Sequence, residues 1–567
     1  MRIYRFGVAA VAALAVAVLV TSAASGGGGH GRGDLQRIKH IVVIYEENHS
    51  FDNLYGGWEG VNGRSNADTA HTRQVTQGGV PFTCLKQLDL NLTVPPLSAT
   101  CTDSTTATTF TSHFSNAPFL IDNFIHPGDT TCPPTPLVAF SRPNGWLNGT
   151  GSAGGCTRDI VHRFYQEQFQ LNGGQQNRYA IGSDAAGTVM GVYDTQALPI
   201  YKYLHAPGHP DYAILDDFFA AAFGGSFLEH QWLIAARTPD WPGIPATQHS
   251  IVDTNGFPNA TYPLYTPTTS VRDAAGTVAC PSPVAGLACG DFAVNTTQPA
   301  FQPSGAFGAK LPAQTNPTIG SELSAAGVDW AWYAGGWSNA DGDVNAPGWT
   351  NGNGPTCSDP FADPIVSSYP RCPDNLFQYH HQPFNYFAAF DPSTPAGLAN
   401  RRAHLKDEQE FIQLAQASDK QCQLKPVSFI KPFGTENEHP GYASEPNGSD
   451  HLVQLLQSIE NSKCSKDTMV IVTYDEFGGQ WDHVSPPGQG GTPGPHDQWG
   501  PGTRIPALIL ASDLKSDFVV DSTQYDTTSI LATIEERYRL APLSTRDAAV
   551  NDLSNVFNAK KTEDDDG

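Results

Sequence analysis

Runs of apolar, β-branched residues alternate along the chain with segments whose apolar residues recur every three to four positions. A continuous apolar run bounded by polar residues is typical of a strand that is buried on both faces. Such strands are predicted at 38–45 (IKHIVVIY), 426–430, 468–474 (TMVIVTY) and 505–511. The 3.6-residue spacing predicts helices at 450–462 and 527–540. This alternation favours an α/β fold with a mostly parallel central sheet flanked by helices.

Two stretches interrupt the alternation, at 80–157 and 240–318. The first contains four cysteines among many Thr and Pro residues, and the second is rich in Pro, Thr and Gly. Both are therefore predicted to be loop-rich insertions. We expect one domain over 37–558 that carries them, followed by a disordered acidic tail over 559–567.

The N-terminus has the pattern of a secretory signal peptide over residues 1–24. Arg2 and Arg5 precede an apolar run, and small residues at 22–24 offer a cleavage site. The run is too short for a comfortable membrane span, and no later run reaches about 20 apolar residues. We expect a flexible Gly-rich leader over 25–36 and a secreted or periplasmic protein without stable membrane insertion.

The formal charge of the 567-residue chain is −24, and loss of the two arginines of the signal peptide would lower it to −26. Such a surface repels nucleic acid and anionic membranes at long range, so no nucleic-acid partner is expected. Solubility alone is a sufficient explanation of this charge.

Ten cysteines in a chain predicted to be exported favour disulfide bonds. A Cys-x-x-Cys zinc motif is absent from the sequence. Because the cysteines fall in sequence-adjacent pairs, five local bridges are predicted. They are Cys84–Cys101, Cys132–Cys156, Cys280–Cys289, Cys357–Cys372 and Cys422–Cys464.

Oxygen-bearing side chains follow two of the predicted strands. Glu47 and Asn48 follow the first, and Asp475 and Glu476 follow the strand at 468–474. Ligands in such sheets bind beyond the carboxyl ends of the strands. Hard oxygen donors converging there suit a divalent cation such as Mg²⁺, Ca²⁺ or Mn²⁺. Either pair alone is as well explained by a solvated loop, but the two together favour a metal site.

Ser226 follows two glycines and begins a segment predicted to be helical over 226–236. The free N–H groups and the dipole at a helix N-terminus favour an anion, whether a serine alkoxide or a phosphate. An ordinary N-cap serine is the alternative. Leu228 stands where a Gly-x-Ser-x-Gly elbow requires its last glycine, which disfavours an α/β-hydrolase.

Several histidines have the sequence context of catalytic residues. A phosphate needs positive donors on its oxygens and a proton for the leaving group, and histidine supplies both near and below neutral pH. Any one of these histidines alone is as well explained by a structural role. The candidates are His162, His380, His381 and His439.

Two longer motifs resemble those of a known family. The segment 41–56 (IVVIYEENHSFDNLYG) resembles the opening motif of the bacterial phosphoesterases, and 472–479 (VTYDEFGG) with 482–487 (DHVSPP) resembles their C-terminal motif. The resemblance runs over about 38–557. That family contains secreted phospholipases C and acid phosphatases and resembles the alkaline phosphatase superfamily in fold, so this resemblance implies an alkaline-phosphatase-like fold.

The resemblance also implies roles for individual residues. It implies a divalent metal (Mg, Ca, Mn or Zn) bound by Glu47, Asn48, Ser226, Asp475 and Glu476. Ser226 occupies the nucleophile position, in a segment similar to the acid phosphatase branch. His162, His380, His381 and His439 match the active-site histidines of that branch. Thr527 is a departure, because many phospholipase-like members have His there.

These observations predict a metal-dependent phosphoesterase that hydrolyses small-molecule phosphomonoesters through a phosphoserine on Ser226. One alternative is a phospholipase C acting on phospholipid head groups of the phosphatidylcholine type. Another is a catalytically inactive secreted binding protein.

Overall fold

An eight-stranded sheet organises the computed structural model, which describes residues 33–88, 97–124, 157, 159–260, 262–304, 308–349, 377–434, 436–441 and 445–559. Numbered along the chain, its strands are β1 His40–Glu46, β2 Tyr212–Leu215, β3 Trp330–Ala334, β4 Leu405–Asp407, β5 Val427–Lys431, β6 Thr468–Tyr474, β7 Ala507–Ala511 and β8 Phe518–Asp521. Their order across the sheet is β8-β2-β7-β6-β1-β5-β3-β4.

All strands run in one direction except β7, which pairs antiparallel with both β6 and β2. Every residue of β6 is buried, so both faces of the sheet are covered there. The prediction of an α/β fold with a mostly parallel sheet is confirmed. The predicted strand at 468–474 has the observed bounds, while β1 and β5 begin or end within two residues of their predicted limits.

Eleven α-helices accompany the sheet in the described residues. In chain order they are α1 Phe51–Leu54, α2 Thr69–Thr72, α3 Phe164–Leu171, α4 Pro199–Leu204, α5 Ser226–Ala235, α6 Ile319–Ala325, α7 Trp337–Asp341, α8 Pro395–His404, α9 Glu408–Gln416, α10 Glu445–Glu460 and α11 Thr528–Tyr538. Helix α10 contacts α4 and α9, and helix α5 contacts α6 and α11. The helices α5, α10 and α11 are the three expected from the sequence. No helix of the described residues is long and apolar enough to cross a membrane.

Two-stranded ladders lie outside the central sheet. They pair Cys101–Asp103 with Phe110–Ser112, Phe119–Leu120 with Gly191–Val192, and Phe218–Phe219 with Tyr525–Asp526. Between α5 and α6, the described residues form one short 3₁₀ turn, Ala246–Gln248, and no α-helix. Phe257, Tyr262 and Tyr265 from this region pack with Phe169 of α3 in a small separate core.

Three of the predicted disulfides are confirmed: Cys84–Cys101, Cys280–Cys289 and Cys422–Cys464. The other two predicted pairs lie outside the described residues, as do the predicted signal peptide and almost all of the predicted acidic tail.

Candidate active site

The carboxyl ends of β1 and β6 deliver the oxygen-rich residues to one edge of the sheet. The two strands pair in parallel, with Glu46 opposite Tyr474, so the residues that follow leave the sheet side by side. The backbone N–H of Asn48 donates to Asp475 Oδ1 at 3.1 Å, and that oxygen also accepts the N–H of Glu476 at 2.9 Å. Asn48 adopts a positive φ of 61°, which asparagine tolerates better than most residues.

Ser226 reaches these strand ends from the first turn of α5. Its Oγ lies 3.4 Å from Glu47 Oε2 and 3.5 Å from Asn48 Oδ1. The preceding Gly224 has a φ of 107°, and a side chain there would meet the backbone of Phe164. At Gly225, an added Cβ would lie 3.1 Å from the His162 ring. The two glycines therefore allow the serine turn to pass close to a candidate catalytic histidine.

Two buried carboxylates hold the turn that precedes Ser226. Glu229 accepts the N–H groups of Ala221 and Ala222, at 3.1 and 2.5 Å. Glu167 accepts the N–H of Gly224 at 2.5 Å. Burial raises the pKa of Glu167 to about 7 and the pKa of Glu229 well above its usual value. These bonds fix the direction in which the turn presents Ser226.

Glu47 is a buried carboxylate that contacts an imidazole and an ammonium group. Its Oε1 lies 3.0 Å from His381 Nε2 and contacts the ammonium of Lys431. Burial alone would raise the pKa of Glu47, but His381 and Lys431 outweigh burial and hold it well below its usual value. Glu47 is therefore ionised at neutral pH.

The predicted histidines lie at the same ends of β1 and β6. His439 Nδ1 donates to Pro440 O at 2.8 Å, and its Nε2 accepts from Asn48 Nδ2 at 2.7 Å. The His162 ring lies 6.4 Å from the His439 ring, and its Nε2 is 3.1 Å from Glu476 Oε1. The rings of His380 and His381 lie 4.4 Å apart. All nine predicted site residues are thus brought together.

Burial controls the protonation of these imidazoles. It lowers the pKa of His162 and His381, lowers that of His380 well below its usual value, and brings that of His439 to about 3. Residue type alone predicts a pKa of about 6.5 for each of these histidines. In the free protein they are neutral near pH 7, so a proton on the ring requires acid or a bound anion.

His230 is a site residue that the sequence analysis missed. Its Nδ1 donates to Ser226 O at 2.7 Å, and its ring stacks on His381 with 4.9 Å between centroids. Its Nε2 is buried without a hydrogen-bond partner. The signal in the sequence is spacing, because residues four apart on a helix share a face.

A metal ion fits this group of side chains. Ligand atoms of Glu47, His230, His381 and Asp475 lie within 4.8 Å of one another. Asp475 Oδ2 is buried and lacks a hydrogen-bond partner, which leaves one carboxyl oxygen available to a cation. Both oxygens of Glu476 already have contacts within the protein. Its Oε2 accepts the N–H of Gly478 at 2.5 Å, and its Oε1 lies 3.1 Å from His162 Nε2.

A second acidic group ties the two sequence motifs together. Asp52 Oδ2 accepts from His483 Nδ1 at 2.5 Å, and Arg504 lies 3.2 Å from both Asp52 Oδ1 and Asp482 Oδ1. The two carboxylates pair with a guanidinium and an imidazole. This buried group therefore has a structural role, linking the opening motif to the C-terminal motif.

Lys431→Met should destabilise the protein by about 3 kcal/mol, because it leaves Glu47 buried without its ammonium partner. Denaturant unfolding in the presence of a chelator measures the change. The matched control is Lys406→Met, whose ammonium lies 3.4 Å from Glu410 in a partly exposed pair and should cost under about 1 kcal/mol. Equal losses in the two variants would contradict a strong role for the buried pair.

Stability should also fall as pH rises toward alkaline values. Burial raises the pKa of Glu438 and of Glu445 to about 8, from 4.5 in a solvated chain. Between these values the folded state binds more protons, so their contribution is complete below about 4.5 and is lost as pH rises through about 8. His439 acts in the opposite direction, losing stability as pH falls from 6.5 toward 3.

Thermal melts across this range test the effect in chelated protein. Glu445→Gln cannot ionise and should show a shallower decline in melting temperature above about pH 5 than the unmodified chain. Parallel declines would show that Glu445 does not contribute.

The sequence is similar to a known protein family and to several phospholipases C. The model of the Phosphoesterase family matches residues 38–541. Phospholipase C A of Mycobacterium tuberculosis is 23% identical over 559 residues, covering 93% of this chain and 78% of that protein. Non-hemolytic phospholipase C of Burkholderia pseudomallei is 26% identical, covering 42% of this chain and 35% of its own. Non-specific phospholipase C6 of Arabidopsis thaliana is 28% identical, covering 21% and 26%.

Proposed function

The chain belongs to the phosphoesterase family and is a hydrolase of phosphoester bonds, and from this premise we propose that it cleaves phosphomonoesters through a phosphoserine on Ser226. One observation carries the proposal. The Ser226 hydroxyl lies at a helix N-terminus, 3.4 Å from Glu47 Oε2, and His381 lies 3.0 Å from the other oxygen of the same carboxylate. A nucleophile, an anion-stabilising helix end and proton donors are thereby close together.

The proposed metal ligands are Glu47, Asn48, Ser226 and Asp475, with Glu476 beside them. A bound divalent cation supplies Lewis acidity that lowers the cost of ionising a hydroxyl and offsets charge on phosphoryl oxygens. Mg²⁺, Ca²⁺, Mn²⁺ and Zn²⁺ remain the candidates for the ion.

The chain's own groups account for the bond changes. Ser226 Oγ passes its proton to Glu47 Oε2 and attacks phosphorus, so that the Oγ–P bond forms and the P–O bond to the leaving alcohol breaks. One of the site histidines gives a proton to the leaving oxygen. Water then attacks phosphorus, the Oγ–P bond breaks, a proton returns to Ser226 Oγ, and inorganic phosphate is released. Glu167 and Glu229 act as positioning residues, because they hold the turn that directs Ser226 at phosphorus.

The second candidate is phospholipase C activity, which the names of the similar proteins favour. The same attack by Ser226 on a phosphodiester would release diacylglycerol. Thr527 argues against this candidate, because many phospholipase-like members of the family have histidine at that position. Thr527 Oγ1 donates to Glu229 Oε2 at 3.3 Å, beside the serine turn.

We further propose that the protein works outside the cytoplasm. The three observed disulfides are typical of an oxidising compartment.

A comparison of substrates tests the proposed function. Initial rates are measured on an aryl phosphate and on phosphatidylcholine in mixed micelles, from about pH 4.5 to about 8.5. We expect faster hydrolysis of the aryl phosphate. Its kcat/KM should fall as pH rises toward neutrality, because lowered histidine pKa values reduce the protonated fraction. Ser226→Ala prepared in parallel reports any contaminating phosphatase.

Preference for the lipid, or an aryl phosphate optimum above neutrality, would move the assignment to phospholipase C. Absence of turnover on both substrates with every candidate ion would favour an inactive binding protein.

A further inference from the structure

A second histidine–carboxylate cluster lies near the catalytic residues. Glu408 begins α9, Glu436 follows β5, and His451 lies in α10. His451 Nε2 is 2.8 Å from Glu408 Oε1 and 3.7 Å from Glu436 Oε2. One ligand atom from each of the three residues lies within 4.8 Å of the others. Residues far apart in sequence thus converge as a set of potential ligands.

Glu46 adds an independent observation. It is the last residue of β1 and is fully buried, yet neither carboxylate oxygen has a hydrogen-bond partner. Burial and the charge of Glu438 hold its pKa well above the usual value, and the charges of His451 and Glu408 also act on it, so Glu46 lies close to the cluster. A buried carboxylate with both oxygens unpaired is costly and indicates a missing partner.

The donor set identifies the kind of partner. Burial would lower the pKa of His451, but Glu408 and Glu436 raise it to about 9, so the ring is an imidazolium at neutral pH. Carboxylate oxygens gathered around one imidazole form a donor set that suits a divalent cation.

We propose that Glu46, Glu408, Glu436 and His451 bind a second divalent cation, separate from any ion at Asp475. One imidazole with several carboxylates suits a first-row transition ion such as Mn²⁺ or Zn²⁺ better than Ca²⁺. The ion displaces the imidazolium proton, because a histidine ligand must be neutral.

The second ion has a structural role. Successive strand residues point to opposite sides, so Glu46 can face this cluster while Glu47 faces Ser226. An ion bound by Glu46 and by residues of α9 and α10 would hold the end of β1 in place, on the side opposite to Glu47. This inference depends on the cluster alone and does not rest on the proposed reaction.

The experiment counts and locates ions with Mn²⁺ as the probe. Protein equilibrated with Mn²⁺ and freed of excess should contain two ions per chain by elemental analysis. Glu408→Gln should retain one ion, while Asp475→Asn should lose the other. The matched control is Glu410→Gln, on the same helix and paired with Lys406, which should retain two.

Anomalous scattering from crystals of the unmodified protein in Mn²⁺ keeps the test decisive even if Glu408→Gln does not fold. We expect a peak between Glu408, Glu436 and His451. Absence of that peak, or an unchanged ion count in a folded Glu408→Gln, overturns the proposal. Loss of the proposed phosphomonoesterase assignment would leave these ion counts unchanged, so the two failures are distinguishable.

Discussion

Ser226→Ala is expected to lower kcat by about 10⁴-fold or more, because removal of a nucleophile leaves only binding and electrostatic stabilisation. The fold should survive. The hydroxyl contacts Glu47 and Asn48 only at 3.4 and 3.5 Å, so its loss should cost under about 1 kcal/mol. Steady-state rates give kcat, and acid quench followed by peptide mass spectrometry should locate phosphate on the Ser226 peptide of the unmodified enzyme.

Ser338→Ala is the matched control. Ser338 is also buried in the first turn of a helix, and its Oγ donates to Pro347 O at 2.6 Å. This variant removes a shorter hydrogen bond than Ser226→Ala does, but it should retain near-normal activity. If Ser226→Ala were equally active, the serine mechanism would be wrong.

Asp475→Asn is expected to weaken metal binding and kcat/KM together, each by about 100-fold. Neutralising one buried charged partner typically costs about 3 kcal/mol, which corresponds to that factor. Asp475 Oδ2 is buried without a partner, so the substitution removes charge where a cation has most to gain. Titration calorimetry of chelated protein with Mn²⁺ measures the affinity, and rates at saturating ion separate binding from chemistry.

Asp521→Asn is the control for Asp475→Asn. Asp521 also ends a strand of the sheet and is buried, but its Oδ2 accepts from Tyr525 at 2.7 Å. It should leave ion affinity unchanged. Full activity of chelated, metal-free enzyme would contradict metal dependence altogether.

The sequence was most informative where the hydrophobic pattern is continuous. Strand β6 was predicted at its observed bounds because seven buried residues in succession have no polar interruption. Strands β2, β3, β4 and β8 were missed. Each has only three to five residues, and an apolar run of that length is equally compatible with part of a helix. The antiparallel direction of β7 is set by its neighbours and is not encoded in its own apolar run.

At the site, motif resemblance identified residues whose contacts are long-range. Nothing local to Glu47 indicates that Lys431 lies against it, because that contact depends on the pairing of β1 with β5. His230 lies four residues after Ser226 on the same helix, so its position could have been predicted from the sequence, but it was not. The lowered histidine pKa values follow from burial, which residue type alone does not reveal.

The pairing of β1 with β6 determines when, during synthesis, the candidate active site can form. Asn48 and Asp475 are 427 residues apart and meet only when β6 has joined β1. At common rates of synthesis that interval is roughly 20–90 s, during which the first strand waits for its neighbour. A nascent or truncated chain lacking β6 has no Asp475 beside Ser226. Hydrolytic activity is therefore expected only after β6 has joined β1.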